Sequence, residues 1–226
     1  PTVDLTSLFA SRAARFIEKR EGTICLGRRA RITQGKNNEL MIEGSMKCFS
    51  HIVVATSPHN VQSVFKESSM IQATLNLINQ FTYEPVYTIY HQYTKNISTD
   101  TRMIGLNSPY AHWVFDRGIT HQDLGLIGIV ISGSGPHQDL TSEQLAIRSA
   151  DILNEKFSFG TPLWSKVLAE KRATFSCTPE LKRPAQITEK KGIILAGDYT
   201  YQRYPATLEA AVRSGIKASK IILESL

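Results

Sequence analysis

The stretch from Gly192 to the C-terminus constrains this chain more than any other. Gly192-Ile-Ile-Leu-Ala is a short apolar run closed by Gly197-Asp198, the pattern of a buried strand. A glycine at such a strand end lets a ligand come close, and an aspartate beside it accepts hydrogen bonds from hydroxyl groups. An aromatic loop from Tyr199 to Tyr204 follows, and Pro205 then stands where a helix begins, at a position whose N–H would be unpaired anyway. The predicted helix has a core stripe of Leu208, Ala211, Val212, Gly215, Ile216, Ile222 and Leu223, with Glu209, Arg213, Lys217, Lys220 and Glu224 on the wet side. Small residues near its start, Ala206, Ala210, Ser214 and Ala218 among them, leave room for a second backbone or a flat ring. A helix N-terminus offers free N–H groups and roughly half a positive charge to an anionic oxygen. The segment therefore reads as half of a dinucleotide site.

The order Ala196-Gly-Asp, aromatic loop, Tyr204-Pro-Ala-Thr-Leu-Glu-Ala-Ala-Val-Arg-Ser-Gly resembles the C-terminal flavin motif of the amine-oxidase and phytoene-desaturase superfamily of FAD enzymes. Three further stretches resemble its squalene-associated branch, the hydroxysqualene dehydroxylases: His112-Trp-Val-Phe-Asp-Arg-Gly, Glu170-Lys-Arg-Ala-Thr-Phe-Ser-Cys-Thr-Pro, and Leu5-Thr-Ser-Leu-Phe followed by Leu26-Gly-Arg-Arg-Ala-Arg-Ile. The resemblance covers nearly the whole chain. It implies FAD as cofactor, with Ala30, Thr56, Gly197, Asp198, Ala206, Thr207 and Leu208 at the cofactor and the helix N-terminus beside the flavin N1–C2=O edge. It also implies hydride transfer at flavin N5 to or from a long isoprenoid such as hydroxysqualene. An acid should assist departure of hydroxide, which makes Asp116 and Arg117 catalytic candidates, with Tyr199 and Tyr204 as proton donors beside the flavin. The plainer reading is that Asp116 and Arg117 pair with each other at a strand end.

Members of that superfamily open with a Gly-x-Gly-x-x-Gly turn that holds the FAD pyrophosphate, and this sequence has none. Gly133-Ser-Gly-Pro-His lacks the third glycine and has proline where the helix should start, so it reads as a loop. Ala210 stands where the family more often has glycine. With its start at Pro1, the chain is expected to be the C-terminal half of a longer flavoprotein whose N-terminal half is its partner, inactive alone and holding FAD weakly. The alternatives are a flavin amine oxidase or carotenoid desaturase, for which Tyr199 and Tyr204 would form an aromatic pair, and a non-catalytic fragment that binds no FAD.

The fold class expected is mixed α/β (α+β), the C-terminal portion of an FAD-binding Rossmann-like domain joined to a mixed-sheet substrate domain with helices. The expected boundaries are 1–58 for the returning part of the FAD domain, 59–190 for the substrate domain and 191–226 for the last FAD-binding strand and helix. In the first part, Asp4 caps a helix with a core stripe of Leu5, Leu8, Phe9, Ala13, Phe16 and Ile17 that ends at Gly22. Strands are predicted at 23–32, 39–43 and 51–56, with a turn at 35–38. Longer strands at 85–94, 111–115, 126–132 and 166–174 and a helix at 142–157 mark the substrate domain. In the first of these, Val86, Thr88, Tyr90 and Gln92 alternate with Tyr87, Ile89, His91 and Tyr93, as in a sheet with one face on helices and one lining an aromatic cavity.

With 226 residues, 42% hydrophobic and 20% charged, the composition is that of an ordinary globular enzyme and carries no disorder signature. No apolar run is long enough to cross a bilayer and no secretory signal pattern is present, so a cytoplasmic location is expected. Cys25, Cys48 and Cys177 are odd in number and widely spaced, which predicts buried free thiols, and the six histidines show no metal-ligand spacing. The net charge of +6 is not organised into a nucleic-acid platform, because no Lys/Arg cluster is interleaved with aromatics. A basic surface would suit peripheral docking on an anionic inner-membrane face if the substrate is a bilayer isoprenoid.

Overall fold

The computed structural model describes residues 4–33, 38–42, 45–94 and 96–225. A π-turn at Thr6–Ala10 runs into α1 (Ser11–Glu18). Next come β1 (Ala30–Thr33), β2 (Asn38–Ile42), β3 (Ser45–Phe49) and β4 (Ile52–Val54), then α2 (Pro58–Val64) and α3 (Gln72–Ile78). They are followed by β5 (Tyr83–Gln92), β6 (Met103–Gly105), β7 (Trp113–Asp116), α4 (Arg117–His121), β8 (Leu126–Ser132) and α5 (Ser142–Phe157). The chain closes with β9 (Trp164–Phe175), β10 (Ile193–Leu195) and α6 (Leu208–Leu223).

Two compact units result, one of residues 1–24 and 83–174, the other of 25–82 and 175–226. The divisions thus fall at 24, 82 and 174, where the sequence reading put 58 and 190. The reason is pairing between segments far apart in sequence: β10 lies parallel to β4, with Ile193 opposite Ile52 and Leu195 opposite Val54. Glu189 likewise accepts from Thr74 N–H (2.9 Å) and Thr74 Oγ1 (2.6 Å).

The first unit is built on a five-stranded sheet ordered β6-β7-β8-β5-β9. Its buried face carries Ile89, Tyr93, Val114, Ile127, Ile129 and Ile131, covered by Leu145 and Leu153 of α5. The β-branched residues suit a pleated surface, and each fully buried isoleucine contributes roughly 1.5–3 kcal/mol. The start of α5 is set by a reciprocal cap, in which Thr141 Oγ1 accepts from Gln144 N–H (3.2 Å) and Gln144 Oε1 accepts from Thr141 N–H (2.9 Å). His91, fully buried, ties three elements together: Nδ1 lies 2.8 Å from Ser165 Oγ on β9 and Nε2 lies 2.8 Å from Ser149 Oγ on α5. Ser149 spends its proton on Ala146 O (3.1 Å), so His91 donates through Nε2 and accepts at Nδ1. Burial holds its pKa down, to about 4.

In the second unit, β1, β2 and β3 form an antiparallel meander, while β4 and β10 form a parallel pair covered by α6. Ala218 packs on Ile194 and Ala196, and Ser214 Oγ accepts from Gly197 N–H (2.8 Å).

Several expectations are corrected. The predicted stripe of the first helix is uncovered: Leu5, Leu8, Phe9, Phe16 and Ile17 are all exposed, although Asp4 does cap it, accepting from Ser7 N–H (2.9 Å) and Ser7 Oγ (2.6 Å). The strand expected from Thr23 is confined to Ala30–Thr33, because Gly27 takes a left-handed φ of 68° and breaks the extended run. The strand at 51–56 is only three residues long, and β3 went unseen in the sequence. Of the turn at 35–38, residues 35–37 lie outside the described residues and Asn38 belongs to β2. The last helix starts at Leu208 rather than Pro205, since Ala206 adopts φ 57° and Thr207 Oγ1 caps the helix by accepting from Ala210 N–H (3.2 Å). Its buried residues are the small ones, Ala210, Ser214 and Ala218, while Leu208, Val212, Ile216 and Leu223 are exposed. Close approach of helix to strand selects Ala and Ser. Cys25, Cys48 and Cys177 are free, as expected, but exposed rather than buried.

Candidate functional site

In a parallel pair both strands end on the same side, and the crevice beyond their carboxyl ends is where open α/β sheets take ligands. Ala196 N–H donates to Val54 O (3.0 Å), so the turn after β4 (Ala55, Thr56, Ser57) and the turn after β10 (Gly197, Asp198) leave side by side. Helix α6 runs antiparallel to β10: Ser214 meets Gly197, Ala218 meets Ile194, and Ser225 Oγ reaches His51 Nε2 (3.0 Å) at the foot of β4. Its N-terminus therefore projects past the same carboxyl edge. The structure thus brings Thr56, Gly197, Asp198, Thr207 and Leu208 to one end of the second unit, whereas Ala30 opens β1 opposite Ile42, in the separate meander.

Thr56 Oγ1 is buried without a hydrogen-bond partner. The Asp198 carboxylate accepts from Tyr199 N–H through Oδ1 (3.0 Å), and burial pushes its pKa up against that bond and the charge of Arg183. Ala206 and Tyr204 both hold left-handed φ (57° and 53°), each strained by about 1–2 kcal/mol. Thr207 Oγ1 donating to Tyr204 O (2.6 Å) and the Arg213 guanidinium 5.6 Å from the Tyr204 ring centroid hold that turn.

One expectation fails at this edge. The space beside Gly197 belongs to the protein, since a Cβ there would lie 2.3 Å from Tyr199 Cε1. Tyr199 is 0% exposed, its ring edge-on to Phe81, while Tyr204 is 52% exposed, with the Arg213 guanidinium beside its ring. The sequence reading missed Arg183, which clamps the aromatic loop by donating to Tyr201 O and Gln202 O (2.7 Å each), and Ser214, which holds Gly197. Arginine next to Pro184 gave no signal. Ser214 was legible only as a small helix residue.

In the first unit, the sheet face away from α5 is partly open. Register places Tyr90, Gly128, Phe115 and Met103 in one row and Thr88, Val130, Trp113 and Gly105 in the next. The Tyr90 ring and the Arg117 stem lie over Gly128, and the Trp113 ring lies over Gly105. Arg117 sits 5.9 Å from the Tyr90 centroid and pairs with Asp123 (2.9 Å). Asp116 points to the opposite face and is 1% exposed. Its Oδ2 accepts from Ser98 Oγ (2.8 Å) and Thr99 N–H (2.9 Å), and its Oδ1 accepts from Ile119 N–H (3.1 Å), capping α4. Asp116 and Arg117 are therefore not partners, and the Asp116 carboxylate is fully engaged.

A strand-end edge of this kind, with a helix N-terminus at its rim, is where nucleotide-cofactor folds hold their ligand. More narrowly, the sequence pattern of the flavin containing amine oxidoreductases matches residues 7–223, and the chain belongs to that family. It is 36% identical over 104 residues to a hydroxysqualene dehydroxylase of Rhodopseudomonas palustris, covering 43% of this chain and 24% of that protein. It is 31% identical over 137 residues to the hydroxysqualene dehydroxylase of Zymomonas mobilis, covering 59% of this chain and 31% of that one. A redesigned putrescine oxidase shares the fold at a TM-score of 0.69 and 13% identity, over 96% of this chain and 53% of its own. The chain thus spans about half of that structure and less than a third of the curated relatives it matches.

The family's cofactor is FAD. The residues at the crevice fit such a group: an orphaned buried hydroxyl on Thr56, a half-buried carboxylate on Asp198, and the free N–H groups of the first turn of α6. Among the described residues no cluster of three His, Cys, Asp or Glu side chains is placed to hold a metal, and no helix is long and apolar enough to cross a membrane.

Proposed function

We propose that this chain carries the cofactor-closing and substrate-facing part of an FAD-dependent oxidoreductase that acts on a long isoprenoid such as hydroxysqualene. The observation that carries the reading is the convergence of Thr56, Asp198 and the α6 N-terminus on one strand-end crevice in a chain of this family. Asp198 and Thr56 bind hydroxyl groups of the cofactor, and the Leu208 and Glu209 N–H groups meet its electron-rich edge. FAD supplies hydride transfer. On the first unit, Trp113, Phe115, Tyr90 and Val130 offer an apolar and π-rich wall for an isoprenoid or a developing cation. Asp116 acts here as a positioning residue that fixes α4, and with it Arg117 over Tyr90. The pyrophosphate grip is assigned to a partner half carrying the glycine fingerprint that this sequence lacks. Likeness to the dehydroxylases favours this substrate over an amine or a carotene.

The test is a visible spectrum after FAD addition and gel filtration, for this chain and for a version extended to the length of its relatives. Flavin bands are expected only in the extended protein, which should then turn over hydroxysqualene with reduced flavin. Bands in neither would remove the crevice as a cofactor site. Turnover of an amine instead would replace the substrate.

A further inference from the structure

Among the described residues, β9 stands at the edge of the five-stranded sheet. It has β5 as its sheet neighbour on one side, and along its twelve residues only Phe175 is buried. The outer side of an edge strand presents a row of N–H and C=O groups to any chain that can match it. Its first nine residues read Trp164-Ser-Lys-Val-Leu-Ala-Glu-Lys-Arg172. Ser165 and Val167 turn toward His91 and the core under α5, so Trp164, Lys166, Leu168 and Glu170 share the other face, where Trp164 is 49% and Leu168 46% exposed.

We infer that β9 pairs antiparallel with β9 of a second copy of this chain, about a two-fold axis at Leu168, making one continuous sheet. The charge pattern selects this register. With Leu168 opposite itself, Lys166 faces Glu170 of the second copy and Glu170 faces its Lys166, while Trp164 falls opposite Arg172. Cross-strand pairs of opposite charge stabilise a sheet and like charges opposite each other destabilise it. Moving the axis to Lys166 sets lysine against lysine, to Ala169 sets Lys166 against Arg172, to Glu170 sets glutamate against glutamate, and to Lys171 sets lysine against lysine between two Glu170–Arg172 pairs. An axis at Val167 opposes no charges. An isologous contact of this type closes at two copies.

Sedimentation equilibrium on the folded chain tests this. The wild type is expected at twice the chain mass. Lys166→Glu alone and Glu170→Lys alone should each run as monomers, because each homodimer would oppose like charges twice. An equimolar mixture of the two variants should recover the dimer, with one copy of each, which also shows that both variants are folded. A monomeric wild type, a dimer indifferent to both charge variants, or a mixture that stays monomeric overturns the inference. The closing controls do not involve flavin, so this result is independent of the assigned function.

Discussion

Single residues at the crevice separate packing from binding. Gly197 is extended (φ 163°), so any residue could adopt its backbone; what excludes a side chain is the enclosed Tyr199 ring. Gly197→Ala should therefore lower the stability of the second unit by about 1–3 kcal/mol through overpacking, read as a fall in Tm. Thr56→Val removes a buried hydroxyl that has no protein partner and keeps the shape. Stability should hold or rise, while FAD retention by the extended protein should fall several-fold, measured by fluorescence titration. Unchanged retention would take Thr56 out of the site. Gly197 and Asp198 were legible as a strand-ending pair because Gly-Asp after an apolar run is a local pattern. The reason for Gly197 was not, since it depends on a ring two residues later folding back.

At the scale of elements, the start of α6 is set by the Thr207 side chain. Thr207→Ala deletes the N-cap and should cost about 1 kcal/mol, visible as a lower urea midpoint. His91 joins β5, α5 and β9 in its neutral form. Its folded pKa of about 4 lies below the usual 6.5, so the unfolded chain takes up the proton first as pH falls. The contribution is complete above pH 6.5 and is lost between 6.5 and 4, about 3 kcal/mol over that window. Urea midpoints measured from pH 7 to 4.5 should fall accordingly, and His91→Gln should flatten the slope. The long strands 85–94 and 126–132 and the helix 142–157 were legible because their patterns are local and sustained. The stripe of α1 and the bulky positions of α6 misled, because amphipathic spacing reports which residues share a face, not whether anything covers it.

For the whole molecule, the partition into two units was hidden in the sequence because it rests on β4 meeting β10 about 140 residues later in the chain. One detail of that partition reaches further. Where the chain leaves the second unit and where it returns, Ser176 N–H donates to Thr82 O (2.9 Å) and the Phe81 and Phe175 rings lie 5.3 Å apart. A short Gly/Ser tether in place of residues 83–174 would bridge those ends with little loop entropy. The remaining residues should keep the β4–β10 pair, checked by amide exchange protection at Ile193 to Leu195. The two ends of the 83–174 excursion thus meet at one point of the second unit. A segment whose two ends meet in this way can be exchanged for another without disturbing the strands it leaves and rejoins.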